Sequence, residues 1–89
     1  MRVTHMKNHL GHISRNNMII EHDCKLYMVS YDEVVIVKNG HNVAVKKSAK
    51  ERSKTTSRFI GYFLKRYCQL CNLNTIEWMG DEEFDLLCR

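Results

Sequence analysis

Residues 33–46 read EVVIVKNGHNVAVK, and this stretch decides the fold. Two runs rich in valine and isoleucine, 33–38 and 41–46, flank the dipeptide Asn39-Gly40. Such runs favour strands, and Asn-Gly tolerates positive φ at both central positions of a type I′ turn. The sequence therefore predicts a β-hairpin that forms the centre of a sheet.

Two more strands are predicted before this hairpin. Residues 18–21 are mostly apolar, and residues 25–30 show the alternation of a half-buried strand. Turns are predicted at 22–23 and at 31–32, where polar residues interrupt the pattern. With the hairpin, these strands give a small antiparallel sheet of three or four strands.

The first 17 residues are polar and rich in histidine. Met6, Leu10 and Ile13 recur at helical spacing, but Gly11 in their middle disfavours a helix. We therefore expect residues 1–17 to form a short helix or a loosely ordered arm, followed by a single domain over residues 18–89.

The C-terminal half predicts one main helix and one short one. Apolar residues recur at i, i+1, i+4 and i+5 over about four turns, at Phe59, Ile60, Phe63, Leu64, Tyr67, Cys68 and Cys71. Residues 75–78 are compatible with a further strand, and Gly80 interrupts it. Acids at 81–83 suit the first turn of a short C-terminal helix. The prediction is an α+β fold, with the amphipathic helix packed on one face of the sheet.

Length and composition exclude several classes of function. A chain of 89 residues has one modest core and little room for a deep catalytic cavity, so we expect a non-enzymatic protein with no cofactor. The longest wholly apolar run, 34–37, is far too short to span a membrane. Four cysteines without an apolar N-terminal leader favour a reducing cytoplasm, which would be the host's if the chain is phage-encoded.

Charge is distributed very unevenly along the chain. Residues 46–66 hold eight of the fourteen Lys and Arg residues against one acid, whereas residues 67–89 hold five acids and one base. The basic segment runs into the start of the main helix, where Lys54 and Arg58 occupy a region that normally favours acids. An anion is the natural partner of such a helix start.

On the main helix, Arg58, Tyr62 and Arg66 fall at i, i+4 and i+8, with Lys65 beside them. Cations interleaved with an aromatic ring suit phosphate neutralisation and base stacking. A solvated basic face explains the same pattern, as does internal neutralisation by the acids at 81–85. The candidate anion-binding or nucleic-acid-binding residues are Lys46, Lys47, Lys50, Arg52, Lys54, Thr55, Thr56, Ser57, Arg58, Tyr62, Lys65 and Arg66.

Metal and redox chemistry are less favoured. Cys68 and Cys71 have zinc-like CxxC spacing, which other residues could complete, but both lie on the apolar stripe of the predicted helix and suit buried thiols. In a helical arm, the histidines at 5, 9 and 12 would share one face, yet solvated residues are the simpler interpretation. We therefore predict no metal site and no catalytic residues, and the acids at 81–85 suit a solvated face.

Two short signatures resemble a family of small phage and mobile-element proteins of unknown function. The signatures are Ser30-Tyr31 followed by Val35, and Ser53-x-Thr55-Thr56-Ser57-Arg58 at a helix start, within residues 26–67. The chain departs from the family pattern at three positions, with Glu33 in place of Thr, Arg52 in place of an aromatic and Phe59 in place of His. The resemblance implies a viral origin and a non-enzymatic role, and it carries no catalytic residues.

Three functional hypotheses follow from the sequence. The first is a binding module for nucleic acid or for a host nucleic-acid-binding complex. The second is a protein-directed inhibitor of a host or defence factor, similar in logic to anti-CRISPR proteins, with Trp78, Met79 and Phe84 in the contact. The third is a zinc-stabilised domain. An exposed outer strand would also allow an edge-to-edge homodimer.

Overall fold

A computed structural model describes residues 1–40, 42–52, 54–67 and 76–88 of the chain. Within these residues, six strands and three helices follow one another as β1 (Arg2–Lys7), β2 (Ile13–His22), β3 (Lys25–Ser30), β4 (Glu33–Asn39), β5 (Asn42–Lys46), α1 (Lys47–Arg52), α2 (Lys54–Tyr67), β6 (Ile76–Met79) and α3 (Asp81–Cys88). The strands form one sheet in chain order, antiparallel from β1 to β5 and parallel between β5 and β6. The α+β class is confirmed, but the sheet is mixed and has more strands than the three or four predicted.

The N-terminal segment is a strand hairpin where a short helix or a loose arm was expected. β1 pairs with β2, and a tight turn joins them, in which the Asn8 side-chain oxygen accepts hydrogen bonds from the backbone N–H groups of Leu10 and His12. Gly11 adopts a φ of +82° in this turn, a conformation that few other residues tolerate. Leu10 and Ile13, which suggested a helix, are both largely exposed.

The two turns on either side of β3 are two-residue turns built from non-glycine residues. Asp23 and Cys24 have φ values of 51° and 63°, and Tyr31 and Asp32 have φ values of 50° and 62°. Positive φ at both central residues is typical of type I′ turns, whose twist matches that of the strands. The turn predicted at 31–32 is confirmed, whereas the one predicted at 22–23 lies one residue later.

The central hairpin is present, but its loop also lies one residue later than predicted. Asn39 pairs with Asn42, which leaves positions 40 and 41 as the loop. Gly40 has a φ of +62°, in the left-handed region, and position 41 lies outside the described residues. Asn39 therefore ends β4 and does not occupy the turn.

A β-bulge in β4 directs more apolar surface toward α2. Met28 pairs with Ile36 and Val29 pairs with Val34, so Val35 is an extra residue without an opposite partner. An extra residue shifts the alternation of side chains by one. Val35 and Ile36 therefore contribute consecutively to the same core, and both are fully buried.

The two faces of the sheet carry two separate cores. The larger core lies under α1 and α2, where Ala49, Phe59, Ile60, Phe63 and Leu64 pack on the strands. The smaller core lies on the opposite face, where Phe84 of α3 packs on Val37 and Ala44. Ala44 lies between Val43 and Val45 of the larger core, and successive residues of a strand point to opposite faces.

Candidate functional site

α2 begins with a cation-rich first turn that contains no acidic residue. Lys54, Thr55 and Arg58 are exposed around this helix start, and Ser57 is half-buried. Backbone N–H groups without intrahelical partners give such an end a partial positive charge. The structure thus places Lys54, Thr55 and Arg58 in solvent at a helix end that favours anions.

Thr56 is the exception in this turn, because its side chain points inward. It is 5% exposed, and its Oγ1 lies 3.1 Å from the Oγ of Ser30 at the end of β3. The contact ties the first turn of α2 to the sheet. Thr56 therefore positions the helix start, although the sequence placed it among the residues that face an anion.

The segment before α2, which the sequence treats as a basic loop, forms the short helix α1. Ala49 fixes it by inserting completely into the larger core. Lys47 is exposed on its surface. The side chains of Lys50 and Arg52, and all of position 53, lie outside the described residues, so the structure does not test those parts of the predicted site.

Lys46 does not belong to the basic surface. Its side chain is buried, with the whole residue 6% exposed, and its Nζ donates a hydrogen bond to the Glu33 carboxylate. Asp85 of α3 lies on the other side, with 3.6 Å between Nζ and Oδ1. The hydrogen bond to Glu33, together with the charges of Glu33, Asp85 and Asp81, raises the pKa of Lys46 despite its burial. This lysine is a structural residue that joins β5 to α3.

The acids of α3 make their contacts at the beginning of the basic segment. Asp81 accepts a hydrogen bond from the Ser48 hydroxyl, and Asp85 pairs with Lys46. Among the described residues, no ion pair joins these acids to Lys54 or Arg58. Internal neutralisation therefore applies to the start of the basic segment and not to the start of α2.

Exposed cations form a stripe along α2, which we call the α2 stripe and define as Lys54, Arg58, Lys65 and Arg66. Lys54, Arg58 and Arg66 lie at i, i+4 and i+12, so they fall on one side of the helix. All four are exposed, and within the described part of the chain none of them forms an ion pair. The half-buried ring of Tyr62 occupies the i+8 position between Arg58 and Arg66 and packs edge-on against Phe59.

The second half of the stripe borders a groove between α2 and the edge strand β1. The groove has a volume of about 680 Å³. It is lined by Thr4, His5, Met6, Lys7, Ile19, Tyr62, Lys65, Arg66 and Tyr67. Among the described residues, this lining contains three with permanent positive charge, one histidine, two tyrosines and no acid, so it combines cationic side chains with aromatic surface.

Six of the nine groove residues are absent from the site predicted from sequence, among them His5, Lys7 and Tyr67. His5 and Lys7 come from β1, a strand that the sequence did not predict, and Tyr67 was assigned only to the apolar stripe. Tyr67 stacks obliquely on Phe63, with 5.1 Å between ring centroids, and the Arg66 guanidinium lies 5.6 Å from its ring centroid. No signal in the sequence could pair β1 with α2, because their proximity depends on the order of strands in the sheet.

The structure offers no metal site within the described residues. Cys68 and Cys71 lie outside the described residues, whereas Cys24 and Cys88 are exposed free thiols. Desolvation, followed by the charge of Asp85, raises the pKa of Cys88, which disfavours the thiolate form that metals and electrophiles require. Nδ1 of the His5 ring is hydrogen-bonded to the backbone carbonyl oxygen of Ser14, with 3.2 Å between the two atoms.

Of the three residues named for the inhibitor contact, Phe84 is buried, whereas Trp78 and Met79 are half-buried. Phe84 is 1% exposed and packs inside the smaller core. Trp78 packs against the larger core and Met79 against the smaller one. The exposed apolar residues of this region are instead Leu86 and Leu87 on α3.

The hydrogen bond between Ser30 and Thr56 joins the end of β3 to the first turn of α2. Within the described residues, no helix is long and apolar enough to cross a membrane.

Comparisons with protein-family models, with curated proteins and with solved structures find no match to this chain.

Proposed function

We propose that this chain is a non-enzymatic nucleic-acid-binding module that uses the α2 stripe and the adjoining groove. The observation that carries the proposal is the concentration of exposed, unpaired cations of the stripe next to an aromatic groove without acids. Each cation that meets a phosphate releases condensed counterions, and this release supplies much of the affinity for nucleic acid.

The arrangement of charge within the molecule supports an external partner. α3 carries acids, but it packs on the opposite face of the sheet from α2, and its contacts with the basic segment end at Lys46 and Ser48. Within the described residues, no carboxylate forms an ion pair with a cation of the α2 stripe. Such a surface attracts an anionic polymer and accelerates its encounter with the protein.

The test is a titration of fluorescently labelled DNA and RNA oligonucleotides with the full chain, followed by anisotropy at a series of salt concentrations. We expect binding at low salt. The logarithm of the binding constant should fall linearly with the logarithm of the salt concentration. Replacing Arg58 with Gln should weaken binding of all sequences similarly and reduce the slope by about 1.

Arg15→Gln is the matched control, because Arg15 is an exposed cation of β2 that lies outside the stripe and the groove lining. Arg15→Gln removes one positive charge, as Arg58→Gln does, but it should leave the slope of the salt dependence unchanged. Absence of binding to both DNA and RNA at low salt, or equal effects of the two variants, would contradict the proposal.

A further inference from the structure

We infer that the groove between β1 and α2 takes single-stranded nucleic acid in preference to duplex. The inference rests on the proposed function and adds the class of ligand that the site selects. It is carried by the position of the two tyrosines, which lie in the groove and not on the convex surface of α2.

Aromatic rings inside a groove can stack only with a base that is free to leave its neighbours. In a duplex, both faces of each base are already stacked, and the sugar-phosphate backbone meets the protein first. A single strand can turn its bases inward, where every base offers a π-face. The half-buried ring of Tyr62 therefore offers its groove side to a base of a single strand, whereas the Tyr67 ring already contacts Phe63 and the Arg66 guanidinium.

Cations on both walls suit a backbone that runs along the groove. Lys7 projects from the β1 side, and Lys65 and Arg66 project from the α2 side. The stripe continues from there to Lys54, about 18 Å away along the helix axis at 1.5 Å per residue. A flexible single strand can follow both the groove and the stripe, whereas a rigid duplex would contact the stripe alone.

The outer edge of β1 adds a further element of recognition. β1 pairs with β2 on one side, and on the other side it has no strand partner among the described residues. Among the described residues, its outward backbone N–H and C=O groups have no strand to pair with, and such groups can hydrogen-bond the edges of unpaired bases. Such contacts need bases that have lost their Watson–Crick partners.

Arg66 serves both parts of the site. Its guanidinium lies 5.6 Å from the Tyr67 ring centroid, which keeps the charge at the mouth of the groove. A base that stacks within the groove would bring its own phosphate close to this charge. One nucleotide can thus stack its base in the groove and place its phosphate near Arg66.

The experiment compares a 12-nucleotide poly(dT) strand, a poly(rU) strand of equal length and a 12-base-pair DNA duplex, each titrated with the full chain at several salt concentrations. We expect the single strands to bind about tenfold or more tightly than the duplex. Tyr62→Leu should lose about five- to tenfold in single-strand affinity, in the range expected for one stacked base, and should lose clearly less in duplex affinity.

Tyr62→Phe retains the ring and should retain most of the affinity, which separates stacking from a structural role of the side chain. Tyr31→Leu removes an exposed tyrosine of the β3–β4 turn outside the groove and is the matched control. If Tyr62→Leu does not fold, photo-crosslinking of bromouracil-containing strands to the unmodified protein gives the second readout, with adducts expected at Tyr62 or Tyr67.

Equal or tighter binding of duplex would overturn the inference and leave the proposed function intact. An equal loss of affinity for single strand and duplex in Tyr62→Leu would also overturn the inference. Crosslinks confined to residues outside the groove would overturn it as well. Displacement of the single strand by an equal concentration of a poly-glutamate peptide of the same charge would assign the groove to acidic peptides instead. Failure of every nucleic acid to bind would remove the proposed function itself.

Discussion

The first turns of α2 and α3 carry opposite charges, although both lie at the positive ends of helices. α3 begins with three acids, and Asp81 in this turn also accepts a hydrogen bond from Ser48. α2 begins with Lys54 and has no acid in its first turn. Placing cations at such an end costs about 0.3–1 kcal/mol each. α3 thus has acids at its positive end, whereas the first turn of α2 has none.

The same contrast separates the two faces of the sheet. The face under α3 joins its helix through a small core and an ion pair. The face under α2 has the larger core, and its helix projects a row of exposed cations beside a groove. We therefore assign stability to the α3 contacts and binding to α2, and this division can be broken by mutation.

The largest effect is expected from Phe84→Ala. Phe84 is 1% exposed and anchors α3 in the smaller core, so its truncation should cost about 3 kcal/mol of unfolding free energy through lost burial and a cavity. Urea denaturation measures this cost. Because Phe84 lies on the face away from the groove, nucleic-acid affinity at a temperature where the variant is folded should stay within twofold of the original protein.

Phe63→Ala makes the comparison matched, because Phe63 is equally buried but lies in the larger core under α2. We expect a similar loss of stability accompanied by weaker binding, since α2 would lose its position beside β1. Loss of binding in Phe84→Ala as well would show that the two faces are not independent.

The second effect concerns Lys46, which holds α3 to β5 and should give a pH-dependent contribution. Lys46→Met leaves Glu33 and Asp85 without their cation, but both carboxylates are partly exposed, so we expect about 1–2 kcal/mol at neutral pH, below the cost for a fully buried pair. The pKa of Lys46 is raised in the folded protein, so the folded state holds this proton more tightly. Its stabilisation is present below 10.5, the ordinary lysine value, and is lost as pH rises through the higher folded value.

Urea denaturation of the original protein and of Lys46→Met between pH 7 and pH 11 measures this linkage. The difference between the two proteins should be constant up to about pH 10 and should narrow above it. A difference that does not change across this range would mean that Lys46 contributes through packing and not through its charge.

The sequence predicted those parts of the molecule that depend on local chemistry. The central hairpin, the turn at 31–32, the amphipathic helix and the short acidic helix all follow from patterns within about ten residues. The sequence did not predict β1, because Met6, Leu10 and Ile13 recur at helical spacing. In the structure, pairing with β2 holds residues 2–7 as a strand. The ion pairs of Lys46 were equally invisible, since Glu33 is 13 positions away in the sequence and Asp85 is 39 positions away.

The candidate site divides in the same way. Arg58, Tyr62, Lys65 and Arg66 were predicted from helical periodicity, and the structure places them on the accessible side of α2. The groove required β1, and no local pattern brings residues 5–7 next to residues 62–67. Thr56 was assigned to the surface because hydroxyls favour helix starts, but its tertiary contact with Ser30 turns it inward.

The smallest effect tests the comparison of the two helix starts directly, through Lys54→Glu. An acid in the first turn of α2 should interact favourably with the helix dipole and raise the unfolding free energy by about 0.3–1 kcal/mol. The same change removes one cation of the α2 stripe and introduces a carboxylate, so nucleic-acid affinity should fall. Lys65→Glu is the matched control, because it makes the same change in charge in the last turn of α2, where an acid opposes the dipole. Both variants should weaken binding, while urea denaturation should show opposite changes in stability. If Lys54→Glu instead lowers the unfolding free energy, another group of the folded chain already neutralises the positive charge at the start of α2. An external anion is then not needed to explain why cations occupy this turn.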